Sequence, residues 1–149
     1  MSIIIWSGSL TSPQTETLIR DETGAQRMMG YVVDVSDPAH GRCLLDLDDR
    51  HLNRHGVLHG GIAATLLDNA SGTTGSLTVD ASGRAPFLTI SLTTQFVGPG
   101  RKGRVIATGT VTGGGRSLLY ITAELLHEDG TLIATSTGVF KRVPQERLT

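Results

Sequence analysis

The chain has 149 residues, 38% hydrophobic and 18% charged, which excludes a disordered chain and suits one globular domain with a real core. A formal net charge of −1 offers no long-range pull on nucleic acid. The single cysteine, Cys43, excludes an intrachain disulfide and any Cys-pair metal site.

Residues 1–26 read as an N-terminal extension. The opening MSIIIW has no basic flank and is too short for a signal core or a membrane span, so a soluble, cytoplasmic protein with no membrane partner is expected. Thr11-Ser12-Pro13-Gln14 has the chemistry of a helix start, a hydroxyl cap followed by proline, and predicts a short polar helix to about Arg20. Ile3, Ile4, Ile5 and Trp6 read as a packed tail or a partner contact.

Residues 27–149 read as one domain. Met28–Ser36 and Gly41–Asp48 are expected strands, joined through the turn residues Asp37-Pro38-Ala39-His40. A polar, His-rich loop follows, and then Gly60-Gly61 opens a helix predicted to run to about Leu77. Ile62, Leu66 and Ala70 recur at a spacing of four, with Ala63 and Leu67 alongside. At about 100° per residue, Asp68 falls nearly opposite that stripe, on a side shared with Gly61, Ala64, Thr65 and Gly72. A merely solvated face would more usually carry Lys and Glu. This one is bare enough for another chain or a ligand to approach closely.

From Ala85 onward the chain reads as β structure. Leu88, Ile90, Leu92 and Phe96 alternate with Thr89, Ser91, Thr93 and Gln95, which predicts an apolar face and a polar face bearing Thr89. Further strands are expected over Arg104–Thr112, Ser117–His127 and Leu132–Val143, the last two joined at Asp129-Gly130. Two strands, a helix and four strands make an α+β fold with one long antiparallel sheet. One helix cannot cover such a sheet and its edges, so a homo-oligomer is expected.

Asn53-Arg54-His55-Gly56-Val57-Leu58-His59-Gly60-Gly61, with Asp68 seven residues after the second glycine, resembles the hotdog-fold acyl-CoA thioesterases. The likeness is to the phenylacetate-pathway-like (PaaI-like) branch of the 4-hydroxybenzoyl-CoA thioesterase superfamily. It continues through Leu88–Phe96 and Gly98-Pro99 and spans roughly Met28 to Val143. The resemblance implies a helix wrapped by an antiparallel sheet, dimers that join sheets edge to edge, often tetramers, and active sites at the dimer interface. Its implied activity is hydrolysis of an acyl-CoA to a carboxylic acid and CoA, with no metal and no organic cofactor.

By that resemblance Asp68 is the general base or a nucleophile, and the residues leave both routes open. The Gly60 N–H would polarise the thioester carbonyl at the helix N-terminus; Gly60 and Gly61 would also permit tight helix-to-sheet packing. Asn53 and His59 match positions that orient the loop and the thioester, and Thr89 matches a hydroxyl that holds water beside the acid. His51 and His55 read as ordinary loop residues, and three histidines without cysteines or a carboxylate cluster do not spell a metal site. Candidate CoA contacts are Gly61, Arg84, Arg101, Lys102 and Arg116, with Arg104 nearby and a nest in Gly113-Gly114-Gly115. The rivals are a non-catalytic acyl-CoA-binding protein on the same fold and a hotdog hydratase or dehydratase. Aryl, medium-chain and hydroxylated acyl groups all remain open.

Overall fold

The structure is a computed structural model and describes residues 17–147. The helix start read at Thr11–Gln14 lies outside the described residues.

Seven antiparallel strands and one long helix make the body. In chain order they are β1 (Leu18–Ile19), α1 (Gly24–Met29), β2 (Val32–Asp34), β3 (Arg42–Leu47), α2 (Gly60–Leu77), β4 (Phe87–Phe96), β5 (Gly103–Gly114), β6 (Leu118–His127) and β7 (Leu132–Arg142). The sheet order is β1-β2-β3-β5-β6-β7-β4. The chain thus leaves β3, crosses the sheet as α2, and lays β4 on the far edge against β7. This is the hotdog arrangement, a sheet wrapped on a central helix.

The helix start at Gly60 and the end at Leu77 match the expectation from the glycine pair and the apolar spacing. Ala63, Leu66, Leu67 and Ala70 are buried, while Gly61, Ala64, Thr65, Asp68 and Gly72 lie on the less covered side. The buried side packs on Cys43, Leu45, Val105, Ala107, Ala123, Leu125 and Ala134 of the sheet. Burial pushes the Cys43 thiol pKa up, so this sulfur is a core atom. A smaller cluster of Leu119, Ile121 and Phe140, with Phe87, Leu92 and Val111, closes the opposite end.

Two expectations change. The strand expected over Met28–Ser36 is shorter, Val32–Asp34, because Gly24–Met29 forms α1. Thr23 caps that helix by accepting the Gln26 N–H, and Gly30 ends it in the left-handed region at φ 84°. In the stretch expected to continue as a helix to Arg20, Leu18 and Ile19 instead pair with Asp34 and Val33. The apolar Ile19, buried at the sheet edge, explains the strand.

Candidate active site

The loop before α2 is built by its own polar side chains. Asp48 caps a 3-10 turn over Asp49–His51. His51 is buried: its Nδ1 accepts the Asp48 N–H at 3.0 Å, so Nε2 carries the proton donated to the Met29 carbonyl at 2.7 Å. Sequence reasoning treated His51 as an ordinary loop residue; it is the pin between this loop and the end of α1. Its carbonyl then accepts the His59 N–H at 2.8 Å. The exposed His55 has its N–H held by Asn53 Oδ1 at 2.9 Å. Asn53 also donates its N–H to the Val57 carbonyl at 2.8 Å. Its side-chain Nδ2 has no partner among the described residues.

This loop delivers His59 as the N-cap of α2. His59 Nδ1 accepts the Gly61 N–H at 2.9 Å, which leaves Nε2–H as the ring's donor. Gly61, expected among the substrate contacts, has therefore already used its N–H on His59. Among the described residues the Gly60 N–H has no acceptor, and it points out of the positive end of an 18-residue helix. The missing side chain of Gly60 matters sterically as well. A Cβ there would stand 3.3 Å from the Phe96 ring.

Two turns further along α2, the half-buried Asp68 faces β4. The Thr89 hydroxyl donates to Asp68 Oδ1 at 2.6 Å. The expected alternation in β4 does not survive, and the reason is a bulge. Thr89 pairs with Phe140 and Ser91 with Val139, which leaves Ile90 without a partner. A one-residue insertion exchanges the faces. Thr89 before the bulge and Leu92, Thr94 and Phe96 after it share the side of the buried Phe140, Ser136 and Ala134, next to the helix. Leu88 faces outward and is 51% exposed, and Ile90 is 58% exposed. Thr89 thus meets Asp68 from the inner face, not from a polar outer face. No sequence pattern marks the bulge.

The basic candidates separate into two groups. Arg101 and Lys102 are exposed and enter β5 near the N-terminal end of α2, where the Leu58 N–H donates to the Gly100 carbonyl at 2.6 Å. Arg116 is exposed in the β5–β6 turn at the opposite end of the 12-residue β5, on the order of 35 Å away. The glycine turn before it spends the Gly115 N–H on Leu118. Arg84 is paired with Glu22 at 2.8 Å. Arg104 pairs with Asp46 at 2.8 Å and holds that carboxyl below its usual pKa. One ligand cannot reach both ends of a single chain.

Two further groups border the site. The buried Tyr31 hydroxyl donates to Asn69 Oδ1 at 3.2 Å, one residue from Asp68, and burial raises the phenol's pKa. His127 Nε2 donates to the Lys102 carbonyl at 2.7 Å and so fixes the base of the Arg101-Lys102 segment. Among the described residues no three His, Cys, Asp or Glu side chains gather as metal ligands, and no helix is long and apolar enough to cross a membrane.

Comparisons with known proteins agree with one another. Residues 55–134 match the thioesterase superfamily, a span covering both Gly60 and Asp68. The chain is similar to human acyl-coenzyme A thioesterase 13, 31% identical over 112 residues that cover 73% of this chain and 78% of that one. Among solved structures, a thioesterase family protein of Silicibacter pomeroyi superposes with a TM-score of 0.71 at 27% identity, covering 81% of this chain and 90% of that one. The PaaI protein of the Escherichia coli phenylacetic acid degradation operon shares the fold, with a TM-score of 0.70 at 19% identity, covering 83% and 86%. The family match over residues 55–134 and the 31% identity to an acyl-coenzyme A thioesterase show that this chain belongs to the thioesterase superfamily, with the hotdog fold.

Proposed function

We propose that the protein is an acyl-CoA thioesterase that hydrolyses an acyl-CoA to a carboxylic acid and free CoA. The observation that carries this reading is the Asp68–Thr89 pair, a carboxylate on a bare helix face with a hydroxyl donating to it at 2.6 Å. Thr89 spends its one hydrogen on Asp68, so its oxygen lone pairs are left to accept a hydrogen from water. Asp68 takes a proton from that water as the oxygen attacks the thioester carbonyl. Negative charge moves to the carbonyl oxygen and is met by the unpaired Gly60 N–H and the positive end of α2. When the tetrahedral intermediate collapses, the C–S bond breaks and the sulfur takes the proton held by Asp68. His59, fixed as an Nε2–H donor, and the free Nδ2 of Asn53 orient the thioester.

Gly60 and Asp68 of one chain cannot serve the same carbonyl. Eight residues at about 1.5 Å per residue put them about 12 Å apart along the helix. The reading therefore places Asp68 and Thr89 of one subunit opposite Asn53, His59 and Gly60 of a second, across a dimer interface. The open edge of β4 and the exposed Leu88 and Ile90 support such an assembly, and a tetramer would pair two of these dimers. Arg101 and Lys102, on the Gly60 side, suit the CoA phosphates.

A thiol-release assay over aryl, medium-chain and hydroxylated acyl-CoAs tests the activity. Wild type is expected to release CoA, and Asp68→Asn to lower kcat by roughly 10²–10⁴ with its fold intact. No release from any substrate would leave a binding protein, and full activity in Asp68→Asn would remove the acid from the mechanism. Single turnover in ¹⁸O-water probes the route: label in the Asp68 carboxylate marks a mixed anhydride opened at the Asp68 carbonyl, and trapping of an acylated Asp68 with hydroxylamine detects the anhydride when water attacks the acyl carbon instead.

A further inference from the structure

Phe96 ends β4 on the inner face, paired with the buried Ala134, yet it is 61% exposed. Its ring lies beside Gly60, where a Cβ would come within 3.3 Å of it. Leu92, on the same face of the same strand, is packed against Leu119, Ile121 and Phe140. Phe96 has no such cover. A large aromatic ring left open next to an unpaired helix N–H is an apolar wall beside a polar contact point, the combination that small-molecule sites use.

The course of the chain after Phe96 says what would pass along this wall. A second bulge, between Leu125 and Leu126 of β6 and the facing Ala134 and Leu132, leaves Ile133 unpaired. The Ile133 carbonyl accepts the Val97 and Gly98 N–H groups at 2.8 and 3.0 Å. Gly100 then takes the Leu58 N–H, and Arg101 and Lys102 follow at once. The connection is pinned at each step, so the ring is held beside Gly60 on the segment that leads directly into the two cations. A ligand reaching from one to the other must present a carbonyl at one end, anionic groups at the other, and a slender, partly apolar linker between.

We infer that Phe96 is a substrate-contacting residue whose ring supports the pantetheine arm of the acyl-CoA while the thioester carbonyl sits at Gly60. The inference rests on the acyl-CoA reading above. It assigns the ring to the arm, because the cations lie on its side of Gly60, and so Phe96 does not select the acyl group.

The test compares wild type with Phe96→Ala and Phe96→Tyr, using binding of a non-hydrolysable acyl-CoA thioether and hydrolysis of acyl-CoAs with different acyl groups. Phe96→Ala is expected to raise Kd for the thioether and KM for each substrate by the same factor, roughly tenfold, with kcat unchanged. Phe96→Tyr restores wild-type values. With acyl-N-acetylcysteamine thioesters, which lack most of the arm and all the phosphates, the difference between wild type and Phe96→Ala shrinks. Equal thioether binding by wild type and Phe96→Ala overturns the inference. So does a changed preference among acyl groups, or a loss of oligomeric state on size exclusion, which would make Phe96 an acyl-pocket or interface residue. If wild type binds the thioether with the predicted dependence on Phe96 but releases no thiol, the hydrolase reading fails and the role of Phe96 stands.

Discussion

At the scale of single residues, the role proposed for Thr89 separates its hydroxyl from its shape. Thr89→Val keeps the β-branched packing and removes the donor to Asp68. A hydrogen bond to a charged acceptor is worth about 1.5–3 kcal/mol, so kcat is expected to fall roughly tenfold to a hundredfold. Thr89→Ser should stay near wild type. Steady-state kinetics with a thermal melt on each variant checks both values, and a Val variant with full kcat would reduce Thr89 to a β-former. His127 gives a second residue-scale prediction. Its hydrogen bond to the Lys102 carbonyl, with Asp129 alongside, raises the ring's pKa above the usual histidine value. A raised folded-state pKa stabilises the fold fully below the unfolded value, and that contribution is lost as pH rises through the folded one. Titration of the His127 ring protons by NMR should show a midpoint above about 6.5, and His127→Gln should flatten this part of the stability profile.

At the scale of elements, the glycines of α2 and of the strands beneath it are not equivalent. Gly109 on β5 lies under the helix, where an added Cβ would meet the Thr74 hydroxyl and stand 2.8 Å from the Ala70 carbonyl. Neither neighbour can yield without breaking a buried contact: the Thr74 hydroxyl donates to Ala70 and accepts the Gly41 N–H. Gly109→Ala should therefore cost about 1–3 kcal/mol or more. Gly72, one turn after Asp68, has open space at its Cβ position within the chain, and Gly72→Ala should stabilise the separate chain, unfolded at a concentration that keeps it unassociated, by about 0.5–1 kcal/mol. Urea unfolding of the two variants should show shifts of opposite sign. The same elements show what could be read from the chain. The bounds of α2 were legible because a glycine pair and a spacing of four are local signals. The signals for α1 are also local, a Thr23 cap and Gly30 past the end, but α1 is only six residues long and is easily absorbed into a strand pattern. The bulge at Ile90 depends on how β4 meets β7, a pairing between strands distant in sequence that no window of β4 contains. Asp68 and Thr89 could therefore be named from the sequence, but not the face on which they meet.

At the scale of the whole molecule, the proposed chemistry asks for groups that one chain does not bring together. The proposed donor at Gly60 and the proposed base at Asp68 are about 12 Å apart on one rigid helix, so the proposed mechanism needs two copies, and mixing experiments can read this directly. Gly60→Pro is the sharpest variant for the donor side. Gly60 is the first helical residue, where proline is well tolerated and removes the N–H, at the cost of ring carbons that must fit beside Phe96, 3.3 Å from the Cβ position. His59 before it is already extended, at φ −63° and ψ 132°, as the residue preceding a proline should be. Gly60→Pro and Asp68→Asn should each form inactive homodimers. In a mixed dimer, one site combines both lesions and the other combines a wild-type Gly60 with a wild-type Asp68. Random reassociation of equal amounts makes about half of the dimers mixed, each with one of its two sites intact, so about one quarter of wild-type activity should return. If Asp68 and Gly60 of the same chain made up each site, every site would carry a lesion and refolding the two inactive variants together would restore nothing.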